Sequence, residues 1–162
     1  MLPSSPNRVG LIGIGLLGSV IAERLLAGGF EVVGFDLDDA RLDAFRGLGG
    51  TAASGAPEVL GRCDRVLLSL PSHSEVAALI RAHAGSLRAG LTLIDTTTGD
   101  PATTEALAQD LAARGVTSLD ATSSGSSTQV RAGSAVVMVG GDPAAFEACT
   151  DAAPALAGLA HG

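Results

Sequence analysis

The chain contains no lysine: all ten of its basic residues are arginine, and they form no cluster. Against seventeen acidic residues this leaves a net charge of −7. A nucleic-acid partner needs positive charge gathered on one face, so that class of function is set aside. Trp and Tyr are absent and Phe occurs four times. A core must therefore come from Ala, Val, Leu and Ile, and a 46% hydrophobic content supplies it. The two cysteines, Cys63 and Cys149, stand far apart without a C-x-x-C partner. They read as small buried thiols in a reducing compartment. Cys and His at metal-ligand spacing are missing, so no metal site is expected. The apolar run "LIGIGLLGSVIA", Leu11 to Ala22, is too short to span a bilayer. Its flanks carry prolines before it and Glu23-Arg24 after it, without the early basic cluster or small-residue cleavage site of a signal peptide. The expectation is a soluble, cytoplasmic protein with no membrane partner.

What is present is an alternation of short apolar runs and longer helical patterns. The 162 residues are the size of one domain, residues 1–162. Strands are expected at Arg8–Ile14, Glu31–Asp36, Asp64–Pro71, Leu91–Asp95, Val116–Ala121 and Ser134–Gly141. Helices are expected at Leu17–Gly29, Asp38–Gly49, Ala56–Cys63, Ser74–Leu87, Asp100–Gly115 and Asp142–Leu156. The punctuation is specific. Gly28-Gly29 stops the first helix, Ser54 offers a cap before Pro57, and Asp100-Pro101 and Asp142-Pro143 place Asp at the N-cap and Pro at the first helical position. Gly115 and Pro154 mark ends. Continuous apolar strands alternating with helices predict an α/β fold: a doubly wound, mostly parallel sheet of Rossmann type, with an extra C-terminal strand and helix after Ser124.

The run "GIGLLG" lies between the first strand and the first helix. In a chain with 22 glycines, three at these offsets arise by chance roughly 0.4 times, so context has to carry the motif. The context is complete. Gly13 suits the tight turn, Gly15 lets backbone approach a pyrophosphate, and Gly18 lets helix and strand pack closely. Ile14, Leu16 and Leu17 fill the loop and the start of the helix, whose N-terminus offers unpaired N–H groups and a positive dipole end. Asp36 ends the second strand, 23 residues after Gly13, where a carboxylate accepts from the adenosine ribose hydroxyls. It repels a 2′-phosphate by roughly 4 kcal/mol per charge pair at about 4 Å and an effective dielectric near 20. Its neighbour Leu37 is no arginine that could rescue that phosphate, and Arg41 reads as a solvated helix residue. The expected cofactor is NAD rather than NADP. Three hydroxyl-rich strand ends, Leu70-Pro71-Ser72, Thr96-Thr97-Thr98 and Asp120 to Ser126, sit where open α/β sheets bind ligands.

Taken in order, these residues resemble the β-hydroxyacid dehydrogenase family. Gly13 to Gly18 match its G-x-G-x-x-G opening, and Leu70-Pro71 its strand ending in "LP". "DTTTGDP", Asp95 to Pro101, is similar to its "D-x-S-T-x-x-P", and "DATSSGS", Asp120 to Ser126, to its "D-A-P-V-S-G-G". "GSAVVMVGG", Gly133 to Gly141, follows its "G-T-L…M-V-G-G". The resemblance implies an oxidoreductase that exchanges a hydride between NAD and a small β-hydroxyacid or its semialdehyde, and a homo-oligomer at full length. It implies that Leu70, Pro71 and Thr98 line the nicotinamide end. It also implies that Ser124, Gly125 and Ser126 hold the substrate, with Ser124 the catalytic candidate as a positioning group.

The departures have consequences. Thr122 stands for the family's proline, Ser126 for its second glycine, and Gln129-Val130 for Gly-Ala, which points to a different substrate specificity or loop geometry. In the family, a lysine in a following all-helical domain moves the proton. The expectation is that these residues are the cofactor domain of a longer enzyme, inactive alone. His73, just past Leu70-Pro71, is the one histidine placed to substitute; His83 reads as helix surface and His161 as a frayed end. Two rivals stand beside this reading: a relative acting on imines, and a non-catalytic NAD-binding sensor or scaffold.

Overall fold

The structure is a computed structural model that describes residues 5–155. Its centre is a seven-stranded sheet in the order β3-β2-β1-β4-β5-β6-β7. The strands are β1 (Arg8–Ile12), β2 (Glu31–Phe35), β3 (Thr51–Ala52), β4 (Arg65–Leu68), β5 (Thr92–Asp95), β6 (Thr117–Ser124) and β7 (Val136–Gly140). The first six run parallel; β7 pairs antiparallel with β6, Thr122 facing Met138 and Ser124 facing Val136. The helices are α1 (Leu16–Ala27), α2 (Asp39–Gly47), α3 (Ala56–Arg62), α4 (His73–Ala82), α5 (Pro101–Ala112), α6 (Ser127–Ala132) and α7 (Pro143–Ala148).

Side-chain alternation sorts the core into two layers. Val9, Leu11, Val32 and Leu67 pack with Ile21 and Leu25 of α1 and Phe45 of α2. Ile12, Val33, Val66, Leu68 and Leu93 point the other way, onto Val59 and Leu60 of α3, Val76 and Ile80 of α4 and Leu111 of α5. The chain winds outward in both directions from β1 and β4, so the loops leaving these adjacent strands diverge and open a crevice at their carboxyl ends.

The expected doubly wound fold is present, with differences in detail. β3 and α6 carry no expectation, being only two and six residues long. β6 runs on through Ser124 instead of stopping at Ala121, because the row Asp120 to Ser124 is held by the ladder to β7. The last helix ends at Ala148, and a 3-10 turn at Ala153–Ala155 follows; Leu156 and His161 lie outside the described residues. Asp100 and Asp142 do cap their helices through side-chain oxygens. Ser54 does not cap α3: Gly55 holds the N-cap position, and Ser54 donates from both N–H and Oγ to Glu58 Oε2. No helix among the described residues is long and apolar enough to cross a membrane.

Candidate functional site

The crevice is a cleft of about 1020 Å³ at the carboxyl ends of β1, β2, β4 and β5, as large as a pocket that buries a drug-sized ligand or a cofactor. Gly13, Gly15, Leu16 and Leu17 form one side, Asp36 and Leu37 one end, and Leu70, Pro71 and Thr98 the other.

The three glycines have three separate reasons. Gly13 has φ +96°, and a Cβ there would run into the carbonyl oxygen of Ser69. A Cβ on Gly18 would run into the Gly13 carbonyl oxygen, so α1 lies directly on the turn. Gly15 differs. A Cβ there would meet one atom within 4 Å, Arg41 Nη1 at 3.8 Å. Packing inside the protein therefore makes no demand for glycine at position 15; the missing side chain leaves room on the cleft side. Gly15 is the N-cap of α1, with no side-chain cap and no acidic residue in the first turn. That leaves an anion-seeking helix end facing the cleft.

Asp36 closes the loop. Its Oδ2 accepts from Ile14 N–H at 2.8 Å and its Oδ1 from Asp38 N–H at 2.9 Å. The side chain is 8% exposed, which fixes the carboxylate between the two loops, with lone pairs still open to a hydroxyl. Ile14 turns its own side chain into the core. Leu37 and Leu16 are 92% and 76% exposed, the most exposed of the large hydrophobic residues described. Both line the cleft, so a ligand there would cover them.

At the other end, the threonines divide their roles. Thr96 Oγ1 donates to Leu68 O at 2.8 Å, and Thr97 Oγ1 accepts from Leu70 N–H at 3.3 Å. These bonds stitch the β4 and β5 loops together and leave Thr98 as the exposed hydroxyl of the three. The cleft is also lined by Ser69, Glu75, Arg41 and His83, which the sequence did not single out as ligands. His83 is thus on the cleft wall rather than a plain helix surface, because α4 ends over the crevice. Arg41 is the solvated helix residue expected, and its guanidinium also leans on Asp36. His73 begins α4, its Nδ1 buried without a hydrogen-bond partner and packed beside Gly99.

Ser124, Gly125 and Ser126 are not part of the cleft wall. Ser124 ends β6, Gly125 takes φ +148°, and Ser126 caps α6. Gln129, one of the departures, completes that cap: its Oε1 accepts from Ser126 N–H at 2.7 Å, and its own N–H donates to Ser126 Oγ. The next departure, Val130, is fully buried against Val20. Together they dock α6 on α1, where Arg131 pairs with Glu23. Thr122 Oγ1 donates to Asp120 Oδ1.

Asp120 lies level with Asp95 on the neighbouring strand. Burial pushes the Asp95 carboxyl up from its ordinary value, although it accepts from Thr97 N–H at 2.8 Å and His73 pulls it down; Asp120 pushes the same way as burial. The folded state therefore binds this proton more tightly than the unfolded chain does. The stabilisation is complete below the unfolded value and is lost as pH rises through the folded one. Asp95→Asn keeps the acceptor and removes the buried charge. It is expected to raise the melting temperature at pH 7 and to lose that advantage below about pH 3.5, where the native residue is neutral too. Thermal melts of both proteins at the two pH values check this; a variant that melts no higher than wild type at pH 7, or whose advantage is the same at pH 3, would contradict it. Burial also pushes the Cys63 thiol up to about 11 and raises that of Cys149, so neither is a reactive thiolate. Among the described residues, no group of three or more His, Cys, Asp or Glu could hold a metal ion.

Comparisons with known proteins point one way. Residues 8–161 match the family described as the NAD binding domain of 6-phosphogluconate dehydrogenase. The L-threonate dehydrogenase of Cupriavidus necator is 31% identical over 96% of this chain and 53% of its own length. In structure, the 3-hydroxyisobutyrate dehydrogenase of Mycobacterium tuberculosis, solved with L-serine, superimposes with a TM-score of 0.88 at 24% identity, over 93% of this chain and 52% of that one. An imine reductase of Streptomyces aurantiacus superimposes with a TM-score of 0.87 at 23% identity, over 93% and 53%. At these identities the two structures establish the shared fold. The chain spans about half the length of the relatives it matches.

Proposed function

We propose a function from one premise: the chain belongs to the family of the NAD-binding domain of 6-phosphogluconate dehydrogenase, and within it to the β-hydroxyacid dehydrogenases. The proposal is that it serves an oxidoreductase that moves a hydride between NAD and a small β-hydroxyacid or its semialdehyde. The observation that carries it is Gly15, a glycine that nothing inside the protein requires, at an uncapped helix end beside a fixed carboxylate.

In this reading the backbone N–H groups at the start of α1 hold the pyrophosphate. Asp36 takes the adenosine ribose, Leu16 and Leu37 lie against its apolar faces, and Leu70, Pro71 and Thr98 shape the nicotinamide end. The nicotinamide supplies a carbon that accepts or donates hydride. Ser124, Gly125 and Ser126 orient the substrate from beside the cleft, with Ser126 contributing its backbone, since its hydroxyl serves the α6 cap. A chain without lysine leaves the proton to a group in the rest of a longer polypeptide, which we place in a helical domain following residue 162. Homo-oligomerisation and a cytoplasmic location belong to the same proposal, the latter supported by two free, buried thiols.

A fluorescence titration of this chain with NADH and NADPH tests the cofactor site. NADH is expected to bind more tightly. Asp36→Asn keeps an acceptor for Ile14 N–H and loses the charge, so it is expected to narrow the NADH/NADPH affinity ratio about tenfold. An unchanged ratio refutes the role given to Asp36. Turnover assays on the full polypeptide, with hydroxyacids beside cyclic imines, separate the substrate classes; NADH binding without turnover of either favours a sensor or scaffold.

A further inference from the structure

Gly99 is a glycine for a reason that lies outside its own loop. Its backbone is not left-handed, so conformation makes no demand for glycine there. A Cβ at position 99 would lie 2.9 Å from Nδ1, 3.1 Å from Cγ and 3.2 Å from Cβ of His73. These are the three nearest atoms, and all belong to one side chain. His73 therefore packs directly on the Gly99 backbone, with Nδ1 buried and without a hydrogen-bond partner. The ring has little freedom to retreat. His73 is the first residue of α4, and Ser72 N–H donates to Glu75 Oε2 at 3.1 Å, a bond that fixes the start of that helix. The imidazole is also felt electrostatically at both ends of the β5–α5 loop. The Thr103 N–H bond chiefly lowers the Asp100 carboxyl, and His73 adds to it; at Asp95, His73 pulls against the burial that raises the carboxyl.

We infer that His73 is a positioning residue for the nicotinamide end of the cleft, holding Thr98 in place through its contact with Gly99. The inference rests on the dinucleotide reading of the cleft. His73 follows Leu70-Pro71-Ser72 and Gly99 follows Thr98, so the contact joins the two loops assigned to the nicotinamide end just behind the residues that line it. His73 is not itself part of the lining, so it acts through Thr98 and not on the ligand. Up to Thr97 the two loops are stitched by hydrogen bonds, Leu70 N–H to Thr97 Oγ1 and Thr97 N–H to Asp95 Oδ1. Beyond Thr97 the stitching stops. Among the described residues, no turn or side-chain hydrogen bond holds Thr98 or Gly99. The next fixed point is Asp100, whose Oδ2 accepts from Thr103 N–H at 3.1 Å. The His73 ring closes over the stretch between these anchors. A shift of the loop toward α4 needs the ring to move, and a shift away opens a void beside it, which close packing disfavours.

The test uses two probes that differ by the nicotinamide, NADH and ADP-ribose, titrated calorimetrically into the wild-type chain, His73→Ala, Gly99→Ala and the double variant. Gly99→Ala pushes the loop off the ring and is expected to weaken NADH about tenfold while leaving ADP-ribose within about twofold. His73→Ala removes the support and is expected to weaken NADH about fivefold, again sparing ADP-ribose. With the ring gone the added methyl has room, so the double variant is expected to bind NADH no more weakly than His73→Ala alone. A side chain that serves stability only would lower the melting temperature and leave the ratio of the two probes unchanged. The inference is overturned if the ratio stays within about twofold of wild type in His73→Ala, which creates no clash and decides the matter even should Gly99→Ala fail to fold. It is overturned equally if the two penalties multiply in the double variant, since the residues would then act independently. Failure of the wild-type chain to bind either probe is a different result: it removes the dinucleotide reading itself.

Discussion

Gly13→Ala is expected to destabilise the domain by about 3–5 kcal/mol, a large fraction of the roughly 5–15 kcal/mol that holds a folded domain together. Two effects add. The backbone at position 13 is left-handed, φ +96°, where an L side chain is strained by about 1–3 kcal/mol. The new methyl also meets the carbonyl oxygen of Ser69. Ser69 cannot retreat freely, since its N–H donates to Ile12 O at 2.9 Å and the strand before it pairs with β1 through Val66, Leu67 and Leu68. Relief would mean opening the ladder between two central strands. Gly18→Ala presses on the same place from the other side, through the Gly13 carbonyl. Urea denaturation followed by circular dichroism measures the effect. A Gly13→Ala chain within about 1 kcal/mol of wild type would show that the turn is not locked as described.

The fold was legible because its signals repeat over long stretches. Buried parallel strands read as unbroken apolar runs, and Asp-Pro at the start of α5 and α7 states both the cap and the first turn. What was missed is short or depends on pairing. Two residues, Thr51-Ala52, show no period at all, yet hydrogen bonding to β2 makes them a strand. α6 did leave a mark, Ser126-x-x-Gln129, a capping box hidden in a run that looked like a hydroxyl-rich loop. The end of β6 reads as part of that loop because its residues are polar, and the partner that makes them a strand lies twelve or more residues on in β7.

Legibility at the site followed the same division. Spacing singled out Gly13, Gly15, Gly18 and Asp36, which the structure gathers around one turn. It could not reveal that Asp36 also accepts from Ile14 N–H, a contact across 22 residues, or that Arg41 leans back over the loop. Both depend on how the β2–α2 turn folds over the glycine turn. The three consecutive threonines could not be told apart by type; all three line the cleft, and only the stacking of the β4 and β5 loops ties the hydroxyls of Thr96 and Thr97 into internal bonds and leaves Thr98 exposed.

Gly15→Val is expected to reduce NADH affinity about 100-fold or more, equivalent to about 2.7 kcal/mol, while leaving the fold nearly intact. The backbone at position 15 is extended, φ −78° and ψ −153°, a region any residue adopts. An added Cβ meets only Arg41 Nη1 at 3.8 Å, ordinary contact with a flexible side chain. Valine is a poorer N-cap than glycine, a difference of about 1 kcal/mol or less. The branched side chain would occupy the space in front of the first N–H groups of α1, where the pyrophosphate sits in the proposed reading. Equilibrium titration with NADH and a thermal melt of the same sample separate the two readouts, and Gly15→Ala provides a smaller step in the same direction. NADH binding within about threefold of wild type in both variants would mean that the space before α1 is not where phosphates sit. Set against Gly13→Ala, the expected result divides the motif by cause: Gly13 and Gly18 are glycines because the chain packs directly against itself at that turn, and Gly15 would be a glycine because something from outside must come close.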